Sequence, residues 1–186
     1  MMTEPIVQID TYSPEILQLR WTLFMQKYVE TNKIIKATGL LIRQENMPED
    51  ITENMVKFII RREDPTVVWS KCVGKNGDLC SDTMKSIEVK SFASNGPCSF
   101  GPNKKFDVIY FLDLRNMLQN RIILFKMNLT NNSPEWKNLK MNKTQTHENQ
   151  CNEKRRPHIC WDKIYSQLNI HCQVVFDDTF ENIFTF

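Results

Sequence analysis

Ser86-Ile87-Glu88-Val89-Lys90-Ser91-Phe92 alternates apolar and charged side chains with the two-residue period of a β-strand. Ile87 and Val89 are therefore expected on one face, Glu88 and Lys90 on the other. A carboxylate and an ammonium on one strand face make a compact place to hold a metal ion beside a water molecule, provided one more acid joins them. Asp78, in Gly77-Asp78-Leu79 at the end of a glycine-broken turn, is the candidate that a hairpin brings beside Glu88. Magnesium takes hard oxygen ligands and keeps several waters, so two carboxylates leave it positions for a phosphate oxygen and a nucleophilic water. Exposed strand faces also carry Glu and Lys for solvation alone. The triplet gains meaning from its surroundings.

Downstream, Ala93 to Lys105 reads as a loop of small, hydrogen-bonding and basic residues with two Gly-Pro dipeptides, an unfavourable composition for a plain strand connection. Pressed against a nucleic acid, Ser94, Asn95, Ser99 and Asn103 offer neutral donors and acceptors, while Lys104 and Lys105 neutralise phosphates. The runs 106–114 and 121–129 are almost continuously apolar, as strands buried on both faces are. Residues 131–150 are polar, with Trp136 as their anchor. Arg155-Arg156-Pro157 forms the densest basic cluster, ahead of an expected helix over Trp161 to Leu168 and a last strand over Ile170 to Phe176. An Arg there pairs with guanine or clamps a phosphate.

Upstream, residues 1–12 look irregular. Ser13-Pro14-Glu15 then carries an N-cap, a first-turn proline and a dipole-favoured acid, and predicts a helix to about Thr31. A second helical piece is expected from Asn32 to Arg43, broken near Gly39. Asp50 as N-cap with Glu53 three residues on predicts a capping box opening a helix that ends near Arg62. Glu53 is then either a capping acid or an auxiliary acid of the metal site. Thr66 to Trp69 is a short strand candidate, and Lys75 to Asp78 is turn chemistry. Helices ahead of buried strands imply an α/β fold, a mixed central sheet flanked by helices.

The 186 residues, 41% of them hydrophobic, suffice for one core, and a single domain over 1–186 is expected: a helical part over about 13–62, and a sheet with binding loops over about 66–176. No run approaches the ~20 apolar residues of a membrane span, and six cysteines without C-x-x-C spacing suit free thiols in a cytoplasmic location. The net charge of +2 hides an asymmetry: residues 85–163 hold 14 Lys or Arg against 7 Asp or Glu, the rest 10 against 15. A polyanion would bind the basic half, although a solvated basic surface gives the same bias. Phosphate-loop, dinucleotide and Gly-x-Ser-x-Gly signatures are missing, and the histidines at 147, 158 and 171 are isolated, which disfavours a histidine-based nuclease.

Taken together, Gly77-Asp78, Ile87-Glu88-Val89-Lys90, the Ser94 to Pro102 loop, Phe106 to Asp113, the Pro48 to Asn54 helix and Arg155-Arg156-Pro157 resemble the small type II restriction endonucleases of the PD-(D/E)XK nuclease superfamily, over roughly residues 47–170. No proline precedes Asp78, so Asp82 stays open as the first metal ligand. The resemblance implies an Mg2+-dependent endonuclease that cuts double-stranded DNA as a homodimer at a short palindrome, with a DNA methyltransferase as companion and no membrane association. It implies Asp78, Glu88 and the Val89 carbonyl as metal ligands and Lys90 as the residue that positions the attacking water. A structure- or lesion-directed nuclease shares this core but reads shape, and a non-catalytic DNA-binding protein would keep only the fold.

Overall fold

The computed structural model describes residues 12–42, 45–73, 75 and 77–185. The expected irregular N-terminal stretch therefore falls, but for Tyr12, outside the described residues, as do Arg43 and Asn76. Helix α1 runs unbroken over Pro14–Thr38, started by Ser13, whose Oγ accepts from Ile16 N, and ended by Gly39 at φ 66°. The break expected before Asn32 is absent: nothing there interrupts the backbone ladder, and only Gly39 takes up the left-handed conformation that stops it. Helix α2 covers Glu49–Ile60 and is buried along almost its whole length.

Strands β1 (Val68–Trp69), β2 (Leu79–Cys80), β3 (Ile87–Phe92), β4 (Pro97–Ser99), β5 (Val108–Asp113) and β6 (Ile122–Met127) follow. Short helices α3 (Pro134–Lys137) and α4 (His147–Asn152), strand β7 (His158–Cys160), helix α5 (Trp161–Leu168) and strand β8 (Cys172–Asp178) complete the order. Six strands form one sheet in the order β1-β2-β3-β5-β6-β8. Only β3 and β5 pair in parallel, Glu88 beside Ile109 and Lys90 beside Phe111, so the sheet is mixed as expected.

Parallel neighbours cannot be joined by a tight turn. The connection between β3 and β5, residues 93–107, must cross over the sheet, and instead of a helix it carries β4 outward to pair with β7. The Gly-Pro loop and the Arg-Arg-Pro segment thus become one two-stranded ribbon: Cys98 pairs with Ile159, Ser99 with His158, and Phe100 N donates to Pro157 O at 2.9 Å.

Alternation along the strands splits the interior into two cores. Ile87, Val89, Val108, Tyr110 and Leu112 face α1 and α2, packing with Leu17, Trp21, Met55 and Ile59. Phe92, Ile109 and Phe111 face the ribbon, α3 and α5, packing with Phe100, Trp136, Trp161 and Ile164. Trp136 is fully buried with its ring edge-on to Phe100 and Phe106, the anchor its surroundings predicted. β5 is buried at all six positions because both layers cover it. No helix among the described residues is long and apolar enough to cross a membrane, and all six cysteines are free thiols.

Candidate active site

Glu88 and Lys90 project from β3 on the ribbon side, opposite Ile87 and Val89. Asp78 reaches them through the expected hairpin. Gly77 adopts φ 93°, which only glycine takes readily, and Asp78 N donates to Ile87 O at 3.0 Å. The carboxylate then folds back, its Oδ2 accepting from Val89 N at 2.8 Å. Asp82 instead lies exposed beyond β2, its backbone N bonded to Thr66 Oγ1.

Around Glu88, which is almost completely buried, two ammonium groups converge. Lys90 Nζ lies 2.5 Å from Glu88 Oε1 and 3.3 Å from the Val89 carbonyl oxygen. Lys104 Nζ lies 3.0 Å from Glu88 Oε2 and 3.3 Å from Asp78 Oδ1. One cation is therefore shared between the two acids, and the acids raise the Lys104 pKa against the opposing effect of burial. Oxygens from Asp78, Glu88 and Val89 are a hard donor set suited to a divalent ion such as Mg2+. The ammonium already standing between the carboxylates marks a position where positive charge fits. Among the described residues no third carboxylate, His or Cys completes a ligand cluster. Water and substrate phosphate would have to fill the remaining positions.

The capping box expected at the start of α2 does not form. Pro48 occupies the N-cap position without a side-chain bond, and Asp50 turns its carboxylate to Tyr12 Oη at 2.8 Å and to the Arg20 guanidinium. Glu53 is instead buried and accepts from Trp69 Nε1. Burial raises its pKa to about 7; the Trp69 bond opposes this, and the nearby Asp78 charge adds to it.

The loop residues are scattered in role. Asn103 and Lys105 are exposed, and Ser94 Oγ accepts from Gly96 N within its own turn. Asn95 Oδ1 accepts from Arg115 Nη1 at 2.9 Å, while Ser99 Oγ is buried without a partner. Arg155 and Arg156 are exposed just before β7, with Arg155 paired to Glu153 at 3.0 Å. Two features escaped the sequence. Lys104 sits against the acids, and Arg115 ties Asp113, Asn95 and Asp162 together while lying over Phe92. Apart from the short-range Arg115–Asp113 pair, both depend on contacts between distant segments, for which no local pattern exists.

The model of a family described as Bsp6I restriction endonuclease matches residues 19–167 of this chain. The type II restriction enzyme Bsp6I of Bacillus sp. (strain RFL6) is 29% identical over 147 residues, 75% of each chain. No solved structure matches.

Proposed function

This chain belongs to the Bsp6I restriction endonuclease family, a membership that makes it a DNA-cleaving hydrolase, and from that premise we propose an Mg2+-dependent enzyme that cuts both strands of duplex DNA at a short palindrome. The observation that carries this reading is the cation shared by Asp78 Oδ1 and Glu88 Oε2, with Lys90 on the other Glu88 oxygen. Asp78, Glu88 and the Val89 carbonyl would hold the metal, which when bound would polarise the scissile phosphate and make a nearby water more acidic. Lys90 fixes that water in line with the 3′ oxygen and offsets the charge that grows on the phosphorane. The new P–O bond forms as the P–O3′ bond breaks. Glu53 stands behind Asp78 as an auxiliary acid. The whole of 1–186 acts as one endonuclease domain in the cytoplasm, beside a methyltransferase that protects the host's own sites.

Long duplex DNA with Mg2+ tests the reading. Discrete bands are expected; cleavage of branched or damaged DNA alone would make this a repair or junction nuclease, and binding without cleavage would reduce it to a DNA-binding module.

Sequence discrimination is assigned to the β4–β7 ribbon and its flanking turns, with Ser94, Asn95, Asn103, Lys105, Arg155 and Arg156 as DNA contacts, while Ser99, whose Oγ is buried, serves the ribbon through its backbone. At least one of the two arginines reads a base, guanine, to whose O6 and N7 a guanidinium pairs. Its alanine variant should lose ~1–3 kcal/mol on the cognate duplex and relax specificity, whereas a phosphate clamp would weaken binding to every sequence and flatten the salt dependence. Affinities in Ca2+ at several salt concentrations separate the two. Equal losses on cognate and random duplexes for both variants would make the pair a clamp.

A palindrome calls for a two-fold protein. Beyond its buried face, α1 carries a second apolar stripe: Ile16, Leu19, Leu23 and Ile34 are exposed and fall within roughly 60° of one another around the helix. Seven of the twelve large exposed hydrophobics among the described residues lie between positions 16 and 42, which concentrates the unpartnered apolar surface on this helix and its end. A second copy of the chain is the occupant we assign to it. Set antiparallel about a two-fold axis, Ile16 of each copy meets Ile34 of the other. Replacing Leu19 and Leu23 together with Glu should convert a sedimenting dimer into a monomer; a parent protein already monomeric at working concentration would remove this interface.

A further inference from the structure

Lys104 approaches the two acids along a path that the loop leaves open for it. Its backbone N donates to Gly101 O at 3.2 Å, closing a turn over Pro102 and Asn103. A Cβ on residue 101 would stand 2.9 Å from Lys104 Cγ, so only glycine leaves room for the lysine stem at this point. The stem passes over Gly101, and the ammonium ends 3.0 Å from Glu88 Oε2 and 3.3 Å from Asp78 Oδ1. Lys90 does not occupy that position: its ammonium contacts Glu88 Oε1 and the Val89 carbonyl, and is more buried. The Lys104 side chain keeps 44% of its surface in solvent, so it has somewhere to go.

We propose that Lys104 is a tethered placeholder for the divalent ion. With no metal bound, its ammonium neutralises Asp78 and Glu88 and holds their inner oxygens around one cation. The buried Glu88 and half-buried Asp78 carboxylates, facing each other without it, would repel. The metal and the ammonium cannot share the space between those oxygens, so metal entry requires Lys104 to withdraw. Its loop leads directly into the β4–β7 ribbon, and a DNA phosphate is the partner to which the displaced ammonium moves. Metal and DNA then bind with positive coupling, because each favours the state in which Lys104 has left the acids, and that coupling is reciprocal. Lys104 is in this sense a positioning residue rather than a catalytic one. The inference rests on Asp78 and Glu88 being the metal ligands.

Calorimetric titration with Ca2+ of the intact protein, first without DNA and then with a cognate duplex, tests it. Without DNA, Lys104→Met should bind Ca2+ about tenfold more tightly than the parent, within the usual range of such couplings. Its metal-free Tm should fall, and its gain in Tm on adding Ca2+ should exceed the parent's. Gly101→Ala, which pushes the stem aside while retaining the charge, should move Ca2+ affinity in the same direction by a smaller factor. Cognate duplex should tighten Ca2+ binding to the parent and do so much less in Lys104→Met. Unchanged or weaker Ca2+ binding by folded Lys104→Met would overturn the placeholder. Asp78→Asn separates this from failure of the ligand assignment: if it binds Ca2+ like the parent, Asp78 is no ligand and the premise itself falls. Loss of binding in Asp78→Asn together with parental affinity in Lys104→Met would discard the placeholder alone.

Discussion

Alanine at Asp78, Glu88 or Lys90 is expected to lower the rate of DNA cleavage by a factor on the order of 10³ or more, because on the proposed assignment each change removes a metal ligand or the charge that would act on the reacting phosphate. The three variants should differ in stability. Asp78 and Lys90 keep some contact with solvent, and Lys104 still balances Glu88 when Lys90 is lost, so their loss should lower Tm, but by less than loss of Glu88. Glu88 is almost completely buried between two ammonium groups, at 2.5 Å and 3.0 Å. Removing it leaves those cations facing each other and costs several kcal/mol, so Glu88→Gln, which keeps the volume and a hydrogen-bond acceptor, is the better probe. Cleavage per folded molecule in Mg2+ is the measurement, with circular dichroism to count folded molecules. Parental turnover in any one variant would remove that residue from the mechanism. Asp82→Ala should be near neutral, since Asp82 lies exposed beyond β2. An essential Asp82 with a dispensable Asp78 would reverse the ligand assignment.

Glu53 carries the second large effect, on stability rather than rate. Its carboxyl titrates near an ordinary 4.5 in the unfolded chain and at about 7 in the fold, where burial disfavours the charge. Between those values the folded protein holds a proton that the unfolded chain has lost. Stability therefore falls as pH rises from about 4.5 to about 7, and the penalty persists above pH 7. Glu53→Gln has no such proton to lose. It should be more stable than the parent at pH 8, by up to about 3 kcal/mol, with the difference fading towards pH 4.5. Urea unfolding of both proteins at a series of pH values reads this directly. A difference independent of pH would mean that Glu53 titrates alike in the folded and unfolded chain, and the raised value would fall.

Much of the scaffold was legible because it depends on periodicity and on turns a few residues long. The two-residue alternation of Ile87 to Lys90 set which side chains enter the α1–α2 core and which face the ribbon. The apolar run over 106–114 announced a strand covered on both sides, and Ser13 marked the start of α1 through backbone groups that only its own neighbours satisfy, whereas the end expected at about Thr31 moved on to Gly39. Asp78 could be placed beside Glu88 for the same reason, since a glycine at positive φ followed by a short hairpin leaves few registers.

Where the same local rules met a competitor from elsewhere in the chain, they lost. Asp50 is a sound N-cap in isolation, but Tyr12 and Arg20 take its carboxylate, and Trp69 takes the Glu53 side chain that a capping box requires. By itself the sequence determined an α/β protein with a β-strand carrying Glu88 and Lys90 on one face, and a hairpin delivering Asp78. Only the tertiary structure decided that β4 and β7 form one ribbon, that Arg115 fastens Asn95 to Asp113 and Asp162, and that Lys104 stands between the two acids. Apart from the Arg115–Asp113 pair, two residues apart, those contacts join residues 16 to about 60 positions apart. Closure of the two cores on either side of the sheet selects such partners, and nothing in the spacing of residues along the chain encodes that choice.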